Sequence, residues 1–254
     1  MLNVLLSNDD GIFAPGLAAL AAAFLADGWR VFVCAPDGER SGASHGIVIA
    51  RPIIAAPVVL EGFGEAVPAF KCDGLPGDCV RLALLELCTE RPDMVVAGVN
   101  DGWNVGKDVH YSGTFGAAME AAFCGVPSIA VSAQHPSPAQ YQYAAELAAR
   151  LARKLVKDPL PLPSVLNVNI PKCDAGQIQG LVEAPLTNFR YTDYHTKLEH
   201  TRGRTAYWLR GDIVRESATP GGDLDCLLRG YATVTAVGWD MTMLGACGRV
   251  LGDA

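Results

Sequence analysis

The adjacent carboxylates of Asp9 and Asp10 are the first feature of this chain that could carry out chemistry. They follow an opening apolar run that is typical of a strand, and Gly11 allows the chain to turn sharply behind them. Inside a strand the two side chains would face opposite ways, but at the end of a strand both can converge on one cation, which relieves their mutual repulsion. The alternative is structural, with one aspartate capping a helix and the other lying in a turn. This motif alone leaves the two interpretations about even.

The polar stretch 98–114 is the strongest indication of a ligand site. It follows an apolar run with strand character, contains four glycines together with Asn100 and Asn104, and ends in Ser112-Gly113-Thr114 at the start of a small-residue helix. Open α/β sheets bind their ligands in loops at the carboxyl ends of parallel strands. The free amide groups at a helix start also form a ready anion site. The alternative is an ordinary turn-rich connection.

A third polar stretch, 35–44, follows the second predicted strand. It offers the hydroxyl groups of Ser41 and Ser44, the flexible Gly42 and the cationic Arg40. Short hydroxyls and open backbone suit contacts to phosphate or to a metal ion. Taken alone, this stretch is better explained as a Pro/Gly/Ser turn. Because all three stretches follow parallel strands, however, we expect them to meet at one edge of the sheet.

The candidate ligands at that edge are carboxylate, amide and hydroxyl oxygens. Such hard donors favour magnesium, manganese or calcium over zinc or copper. The chain has eight cysteines and five histidines, but the cysteines form no CxxC pair and show no zinc-like spacing. The first loop is neither a GxGxxG fingerprint nor a Walker A loop, and it lacks the Asp-x-Asp of phosphatases that form an aspartyl-phosphate. A dinucleotide site and a P-loop therefore have little support.

Composition narrows the class of protein further. Hydrophobic residues make up 50% of the 254 residues, which is ample for a large core, and the formal net charge of −7 argues against a broad nucleic-acid-binding face. Several cysteines lie in apolar runs, as buried reduced thiols of a cytosolic protein do. No basic leader is visible, and the longest apolar stretch, 17–26, is too short to span a bilayer. We expect a cytoplasmic protein that binds neither a nucleic-acid duplex nor a membrane.

The first two-thirds of the chain alternate between short β-rich runs and alanine-rich helical runs. The predicted strands are 2–7, 30–35, 93–97, 128–132 and 165–170, and the predicted helices are 16–27, 77–89, 113–124 and 139–157. This alternation is typical of βαβ units. It predicts a Rossmann-like, three-layer α/β core with a mostly parallel sheet, which we place at residues 1–172.

After Pro171 the pattern changes to strands without long helices, at 178–183, 206–214 and 231–237. We expect residues 173–254 to form a β-hairpin arm and a C-terminal segment that completes the core and mediates oligomerisation. Five of the 19 aromatic residues fall between 189 and 208. They could form a packed arm, an oligomer contact or a base-stacking surface, and we favour the oligomer contact because aromatic residues are enriched at interface cores.

Several motifs together resemble those of a known family. They are 6–11 (Leu-Ser-Asn-Asp-Asp-Gly), 35–42, 76–79 (Pro-Gly-Asp-Cys), 98–104, Asp108 with 111–114 (Tyr-Ser-Gly-Thr), 166–171 and 230–235. The combination resembles the SurE family, the survival-protein 5′/3′-nucleotidases. The resemblance extends over nearly the whole chain, and the pairing of Asn-Asp-Asp-Gly with Tyr-Ser-Gly-Thr is highly specific.

The resemblance implies a divalent metal held by two aspartates, a serine and an asparagine, here Asp9, Asp10, Ser41 and Asn100. It also implies a Rossmann-like core, hydrolysis of nucleoside monophosphates, and dimers or tetramers in which a C-terminal arm reaches a neighbour. The chain departs from the family pattern at three positions near the site. These are Leu75 in place of threonine, Ala97 in place of serine and Trp103 in place of proline. None removes a proposed ligand, but Leu75 and Trp103 could reshape the substrate pocket.

The sequence therefore predicts a phosphomonoesterase that hydrolyses nucleoside 5′- and possibly 3′-monophosphates with one divalent metal, Mg²⁺ or Mn²⁺, per subunit. Metal-activated water would attack the phosphate, with Asp9 and Asn8 as the catalytic candidates. Whether Asp9 acts as base, nucleophile or metal ligand stays open. The expected phosphate and substrate contacts are Asn8, Gly42, Asn104, Ser112, Gly113 and Thr114. Two alternatives remain: a non-catalytic nucleotide-binding regulator, and a sugar-nucleotide glycosyltransferase, which would usually carry an Asp-x-Asp.

Overall fold

A central sheet of nine strands organises the computed structural model, which describes residues 1–161, 163–200 and 204–243. The strands that form this sheet are β1 (Asn3–Ser7), β2 (Arg30–Pro36), β3 (Ala55–Leu60), β4 (Gly64–Cys72), β5 (Met94–Asp101), β6 (Ser128–Ala133), β7 (Ser164–Ile170), β8 (Leu181–Glu183) and β13 (Ala232–Gly238). Within these residues, five α-helices accompany them: α1 (Pro15–Ala26), α2 (Pro76–Leu82), α3 (Gly113–Phe123), α4 (Pro138–Lys157) and α5 (Asp223–Leu228).

The strand order is β3-β4-β2-β1-β5-β6-β7-β13-β8. Strands β4, β2, β1, β5, β6 and β7 run parallel, whereas β3 and β13 are antiparallel to β4 and β7. The chain builds the sheet outward from β1 to β4 and then returns to place β5 on the other side of β1. This reversal creates a topological switch point between β1 and β5, where open α/β sheets bind their ligands. The predicted mostly parallel, Rossmann-like fold is confirmed.

Helices cover both faces of the sheet, which gives the three predicted layers. Successive residues of β1 show why: Val4 and Leu6 pack in the cluster under α1 and α4, whereas Leu5 packs in the cluster under α2 and α3. All three side chains are at most 1% exposed. Because a strand directs neighbouring side chains to opposite faces, an apolar run without alternation is the pattern expected of a strand buried on both sides. The core thereby fixes the carboxyl ends of the central strands.

The sequence-based assignment of elements is wrong at one place before residue 90. The sequence predicts no strand between residues 35 and 77, but this region contains β3 and β4, which pair as an antiparallel hairpin at the sheet edge. Pro57 and the weak alternation of polarity hide this edge hairpin. The helix expected over 77–89 is α2 followed by a π-helical turn at Ala83–Leu87.

The arm consists of two small antiparallel pairs apart from the main sheet. Strands β9 (Arg190–Tyr191) and β12 (Ile213–Val214) form its base, and β10 (Tyr194–His200) pairs with β11 (Arg204–Arg210) beyond them. The single strand expected over 206–214 is therefore divided by Gly211 and Asp212. Strands β8 and β13 belong to the main sheet, so the segment after residue 172 contributes to both parts. The boundary at residue 172 stays a prediction, and the part of the predicted C-terminal segment beyond residue 243 lies outside the described residues.

Candidate active site

The predicted polar stretches meet at the switch point. Asp9 and Asp10 lie in the loop that follows β1, and Asn100 and Asp101 are the last two residues of β5, the neighbouring parallel strand. The loop that carries Ser41 follows β2 on the other side of β1. Its backbone is tied to the first loop, because the amide of Arg40 donates to the carbonyl oxygen of Asp9 at 2.7 Å. The sheet order therefore places three loops around one point.

Asp9 is held by the start of α3. Its side chain is 4% exposed, and the hydroxyl of Thr114 donates to its Oδ1. Gly113 lies directly against it: a Cβ added there would be 2.9 Å from Asp9 Cβ and 3.0 Å from Asp9 Oδ2. Burial raises the pKa of Asp9, and the hydrogen bonds from Thr114 offset only part of that effect. Asp9 is thus a buried carboxylate whose charged form needs a partner.

Asn8 shapes the turn behind Asp9. Its side chain is fully buried, its Nδ2 donates to the carbonyl oxygen of Gly11 at 2.8 Å, and its Oδ1 accepts from the Gly11 amide at 3.1 Å. Gly11 adopts φ +107°, which side chains rarely allow. Both ends of the Asn8 amide are therefore engaged with the backbone, which favours a positioning role over the direct phosphate contact that the sequence suggested.

Asp10 lies on the outer side of the loop. Its Oδ2 accepts a hydrogen bond from the amide of Asp101 at 3.3 Å. Burial, followed by the neighbouring charge of Asp9, raises the pKa of Asp10 to about 6. Asp101 in turn accepts from the backbone amide and ring nitrogen of His135, at 2.9 and 3.1 Å. Two carboxylates with raised pKa values, side by side, form a place where a bound cation would be favourable.

The loop with Ser41 and Gly42 is clamped to α3. The hydroxyl of Ser44 donates to the carbonyl oxygen of His110 at 2.6 Å, and the Ser44 amide donates to the carbonyl oxygen of Tyr111 at 3.0 Å. A Cβ at Gly116 of α3 would lie 2.5 Å from the Ser44 carbonyl oxygen, so only glycine permits this approach. The Ser41 side chain itself is exposed and donates to a carboxylate oxygen of Glu39 at 2.7 Å.

A buried carboxylate strengthens this clamp. Glu120 of α3 is 2% exposed, and its two oxygens contact His45 Nε2 at 2.8 Å and Arg81 Nε at 2.5 Å. Burial raises the pKa of Glu120, but the hydrogen bonds from His45 and Arg81 outweigh it, so that the pKa lies below its usual value. The ring of Phe123 stacks on His45 with centroids 5.4 Å apart. Sequence reasoning missed Glu120, because nothing in its alanine-rich helix marks it as different from a surface glutamate.

The two asparagines of the stretch 98–114 differ in their surroundings. Asn100 Nδ2 donates to the carbonyl oxygen of Gly102 at 2.7 Å. Asn104 is 6% exposed, and its Nδ2 donates to Ser132 Oγ at 2.8 Å. Asn167 and Asn169 of β7 both donate to the Asn104 carbonyl oxygen, at 2.8 and 3.0 Å. The Asn104 backbone is therefore fixed by two buried side-chain amides of β7.

A cavity of about 200 Å³ lies between these loops, and we call it the switch-point cavity. Six of the residues selected from the sequence line it: Asp9, Ser41, Gly42, Asn100, Asn104 and Ser112. The other four predicted residues, Asn8, Asp10, Gly113 and Thr114, surround the cavity without lining it. The Thr114 hydroxyl donates a hydrogen bond to Asp9, and Gly113 packs against Asp9, so both residues hold that carboxylate in place.

Four further residues complete the cavity wall: Asp101, Trp103, Asp108 and Tyr111. All four fall in the stretch 98–114, and the sequence signal that could have found them was the polar and aromatic content of that stretch. The indole Nε1 of Trp103 donates to the Ile170 carbonyl oxygen at 2.6 Å, which fixes its ring as part of the wall. Asp108 accepts from the Tyr191 hydroxyl at 2.5 Å, and burial raises its pKa.

The donor set around the cavity suits a hard divalent cation. In the part of the chain that the structure describes, no three His, Cys, Asp or Glu side chains are grouped to hold a metal ion. A metal here would instead depend on two adjacent carboxylates with a hydroxyl, an amide oxygen and water, which is the mixture of oxygen ligands that Mg²⁺ or Mn²⁺ accepts. The raised pKa values of Asp9 and Asp10 are consistent with such a site, because a bound cation would stabilise both charges. The residues around the cavity therefore fit a divalent metal ion.

A bilayer span requires a helix that is both long and predominantly apolar. No helix in the described ranges combines the length with the apolar character that crossing a bilayer needs. The longest, α4, has 20 residues and is amphipathic, with its alanine-rich side packed on the sheet.

Fold and site define a doubly wound α/β protein with an oxygen-rich ligand cavity at its switch point. Comparison with known proteins gives the family. Residues 4–194 match the model of the survival protein SurE family. A 5'-nucleotidase SurE of Synechococcus sp. (strain JA-3-3Ab) is 42% identical over 246 residues, covering 96% of this chain and 95% of its own. The chain belongs to the SurE family.

Other relatives agree with this assignment. A 5'-nucleotidase SurE of Alkalilimnicola ehrlichii is 39% identical over 252 residues and covers 99% of this chain and 95% of its own. The crystal structure of the SurE protein from Aquifex aeolicus matches with a TM-score of 0.80 and 31% identity, over 98% of this chain and 100% of that one. The similarity thus extends beyond the motifs to the whole described fold.

Proposed function

We propose that the protein is a 5'-nucleotidase, a metal-dependent phosphomonoesterase that hydrolyses nucleoside 5′-monophosphates, and 3′-monophosphates as well, to nucleoside and phosphate. The observation that carries this proposal is the convergence of Asp9, Ser41 and Asn100, from the carboxyl-terminal sides of three neighbouring parallel strands, on one cavity that also receives the start of α3 at Ser112. Membership of the SurE family supports it, since the relatives from Synechococcus and Alkalilimnicola ehrlichii bear the name 5'-nucleotidase SurE.

Asp9, Asp10, Ser41 and Asn100 would hold one Mg²⁺ or Mn²⁺ ion per subunit. When bound, such a cation supplies positive charge to the phosphate oxygens and lowers the pKa of a coordinated water. Asp10 and Asp9 would contribute the charges that attract it, with Asp10 acting from the side of the Asp101 amide. The hydroxyl of Ser41 would exchange its bond to Glu39 for the cation.

The remaining residues of the cavity would bind and orient the phosphate. Asn104 and Ser112 line the wall with buried polar groups, and Gly42 leaves its backbone open at φ +73°. Such prearranged donors stabilise charge as it develops on the phosphate oxygens. Asn8, Gly113 and Thr114 would not contact the phosphate; they would keep Asp9 in place. This assigns positioning roles to residues for which the sequence suggested phosphate contacts.

We also propose a homodimer or homotetramer, cytoplasmic, with the arm as the contact. Tyr194, Leu198, Tyr207 and Trp208 on β10 and β11 are each at least 41% exposed, an unusual density of uncovered apolar side chains. A sedimentation experiment on the full chain tests the assembly. A monomer at all concentrations would contradict it.

Phosphate release from a panel of 5′- and 3′-nucleoside monophosphates tests the activity, with Mn²⁺, with Mg²⁺ and with chelator. We expect release that chelator abolishes and that added metal restores. The ratio of the hydrolysis rates of the 5′- and 3′-monophosphates measures the activity towards 3′-monophosphates. Binding of AMP without release under any metal would instead favour the nucleotide-binding regulator. Transfer of a sugar from a sugar nucleotide would favour the glycosyltransferase.

A further inference from the structure

A second cavity adjoins the switch-point cavity on the side of the arm. It has a volume of about 590 Å³, and we call it the arm cavity. The residues of its lining that matter here are Lys107, Asp108, Tyr111, Asp193, Leu209 and Arg210. Asp108 and Tyr111 line both cavities, so the two spaces share a wall.

The volumes indicate that the two cavities serve one ligand. Pockets that bury small organic ligands have volumes of about 300–1,000 Å³. The switch-point cavity, at about 200 Å³, is smaller than this range, whereas the arm cavity lies within it. A nucleoside monophosphate whose phosphate lies beside Asp9 must therefore place its sugar and base in an adjoining space.

Tyr111 is the feature that makes the arm cavity suitable for a base. Its backbone is fixed, because its amide donates to the Asp108 carbonyl oxygen at 2.9 Å and its carbonyl accepts from Ser44 at 3.0 Å. Its side chain is nevertheless 64% exposed. An aromatic ring on a fixed backbone, uncovered at the junction of two cavities, offers a stacking surface for a nucleobase. Leu209 of β11, which is 58% exposed, adds apolar surface from the arm.

The charges of the arm cavity also suit a nucleoside. Lys107 and Arg210 supply donors, and Asp193 supplies acceptors, for the polar edges of a base and for sugar hydroxyls.

A competing space, the acidic cleft, lies on the other side of Asp101 and is lined by Asp10, Asp37 and Glu39 without a Lys or Arg. A ligand in that cleft would face Asp37 and Glu39 with no cation in the lining, whereas the arm cavity offers Lys107 and Arg210, so the arm cavity is the better choice.

We propose that the arm cavity binds the nucleoside part of the substrate, with Tyr111 stacking on the base, and that it makes the enzyme prefer nucleotides over small phosphate esters. The proposal rests on the function proposed above and specifies where its substrate is recognised. Tyr111 is thereby a specificity-determining residue, and the arm contributes to the active site through Leu209 and Arg210.

Steady-state hydrolysis of AMP, GMP and the ring-free ester glycerol 2-phosphate by Tyr111→Ala, Tyr111→Phe and the wild type tests this in the presence of Mn²⁺. Phe13→Ala is the matched control, because Phe13 is an exposed aromatic residue on the acidic cleft. Tyr111→Ala should raise KM for AMP and GMP about ten-fold or more, the effect expected for one base–aromatic stack. It should lower kcat/KM for AMP and GMP relative to kcat/KM for glycerol 2-phosphate by about the same factor, and Tyr111→Phe should retain the wild-type ratio.

Three results would overturn the proposal. One is an equal loss with glycerol 2-phosphate, which would indicate damage to the switch-point cavity. Another is no change in either KM, and the third is an effect of Phe13→Ala in place of Tyr111→Ala, which would move the base to the acidic cleft. If the wild type hydrolyses none of the esters, the proposed function fails, and calorimetric titration with AMP then tests the arm cavity separately. Weaker AMP binding by Tyr111→Ala would support it, and wild-type protein that binds no AMP would overturn it.

Discussion

The hydroxyl of Thr114, at the start of α3, donates a hydrogen bond to Oδ1 of Asp9, which lies 105 residues earlier in the chain. This contact joins the loop after β1 to the helix that follows β5. It takes up one oxygen of the carboxylate and leaves Asp9 lining the switch-point cavity. The orientation of the proposed metal ligand therefore depends on a residue that does not itself line the cavity.

Thr114→Val tests that dependence, because valine keeps the shape of threonine and removes the hydroxyl. A hydrogen bond to a charged group contributes about 1.5–3 kcal/mol, so we expect the Mn²⁺ concentration for half-maximal activity to rise by about ten-fold or more. Thr114→Ser should restore most of the affinity. Thr89→Val, at an exposed position before β5, is the control. Unchanged metal dependence in Thr114→Val would show that the hydroxyl does not position Asp9.

Gly113→Ala addresses the same carboxylate through packing. The added Cβ would lie 2.9 Å from Asp9 Cβ, closer than real Cβ atoms approach, so Asp9 or α3 must shift. Overpacking of this kind costs about 1–3 kcal/mol, and we expect a lower Tm together with a large loss of turnover. Gly176→Ala is the matched control, because a Cβ there meets nothing within 4 Å. Full activity in Gly113→Ala would contradict the tight contact between α3 and Asp9.

Metal binding should depend on pH through Asp10. The pKa of Asp10 is raised from 3.8 to about 6, chiefly by burial and then by the charge of Asp9. In the metal-free protein this group stabilises the fold below its unfolded pKa, and the contribution is lost as pH rises through about 6. A cation reverses that loss because it binds the charged form. The increase in Tm on adding Mn²⁺ should therefore be larger at pH 7.5 than at pH 5. Asp10→Asn should reduce this difference, and an equal increase at both pH values would contradict the assignment.

Glu120 supplies a prediction about the clamp on the Ser41 loop. Glu120→Ala removes a buried carboxylate that binds His45 and Arg81. Hydrogen bonds to charged groups contribute about 1.5–3 kcal/mol each, so the free energy of unfolding should fall by at least that amount, and metal affinity should fall with it. Glu120→Gln should lower the free energy of unfolding and the metal affinity by less than Glu120→Ala does. Glu146→Ala, at an exposed position on α4, is the control. A variant with wild-type stability would show that the clamp is not needed to hold the loop.

The sequence predicted the parts of this site that depend on strand order. Asp9, Ser41 and Asn100 each follow or end a parallel strand, and the sheet brings such positions together whatever the loops do in detail. It could not predict which side chains turn away from the cavity. Asn8 and Thr114 are polar and well placed in the sequence, but their hydrogen bonds to Gly11 and Asp9 are set by loop conformation. The sequence also did not predict the edge hairpin of β3 and β4, because an edge strand is exposed and its pattern of alternating polarity is weak.

Phosphate release from AMP by the wild type and by Asp9→Asn, each with Mn²⁺ and with chelator, tests the central claim most directly. Circular dichroism on the same samples establishes that both are folded. We expect metal-dependent release by the wild type and a loss of about two or more orders of magnitude in Asp9→Asn, given what metal activation of water contributes. The fold should survive, because removing one of two crowded carboxylates relieves repulsion. A folded Asp9→Asn protein with wild-type turnover would contradict the assignment of the switch-point cavity as the active site.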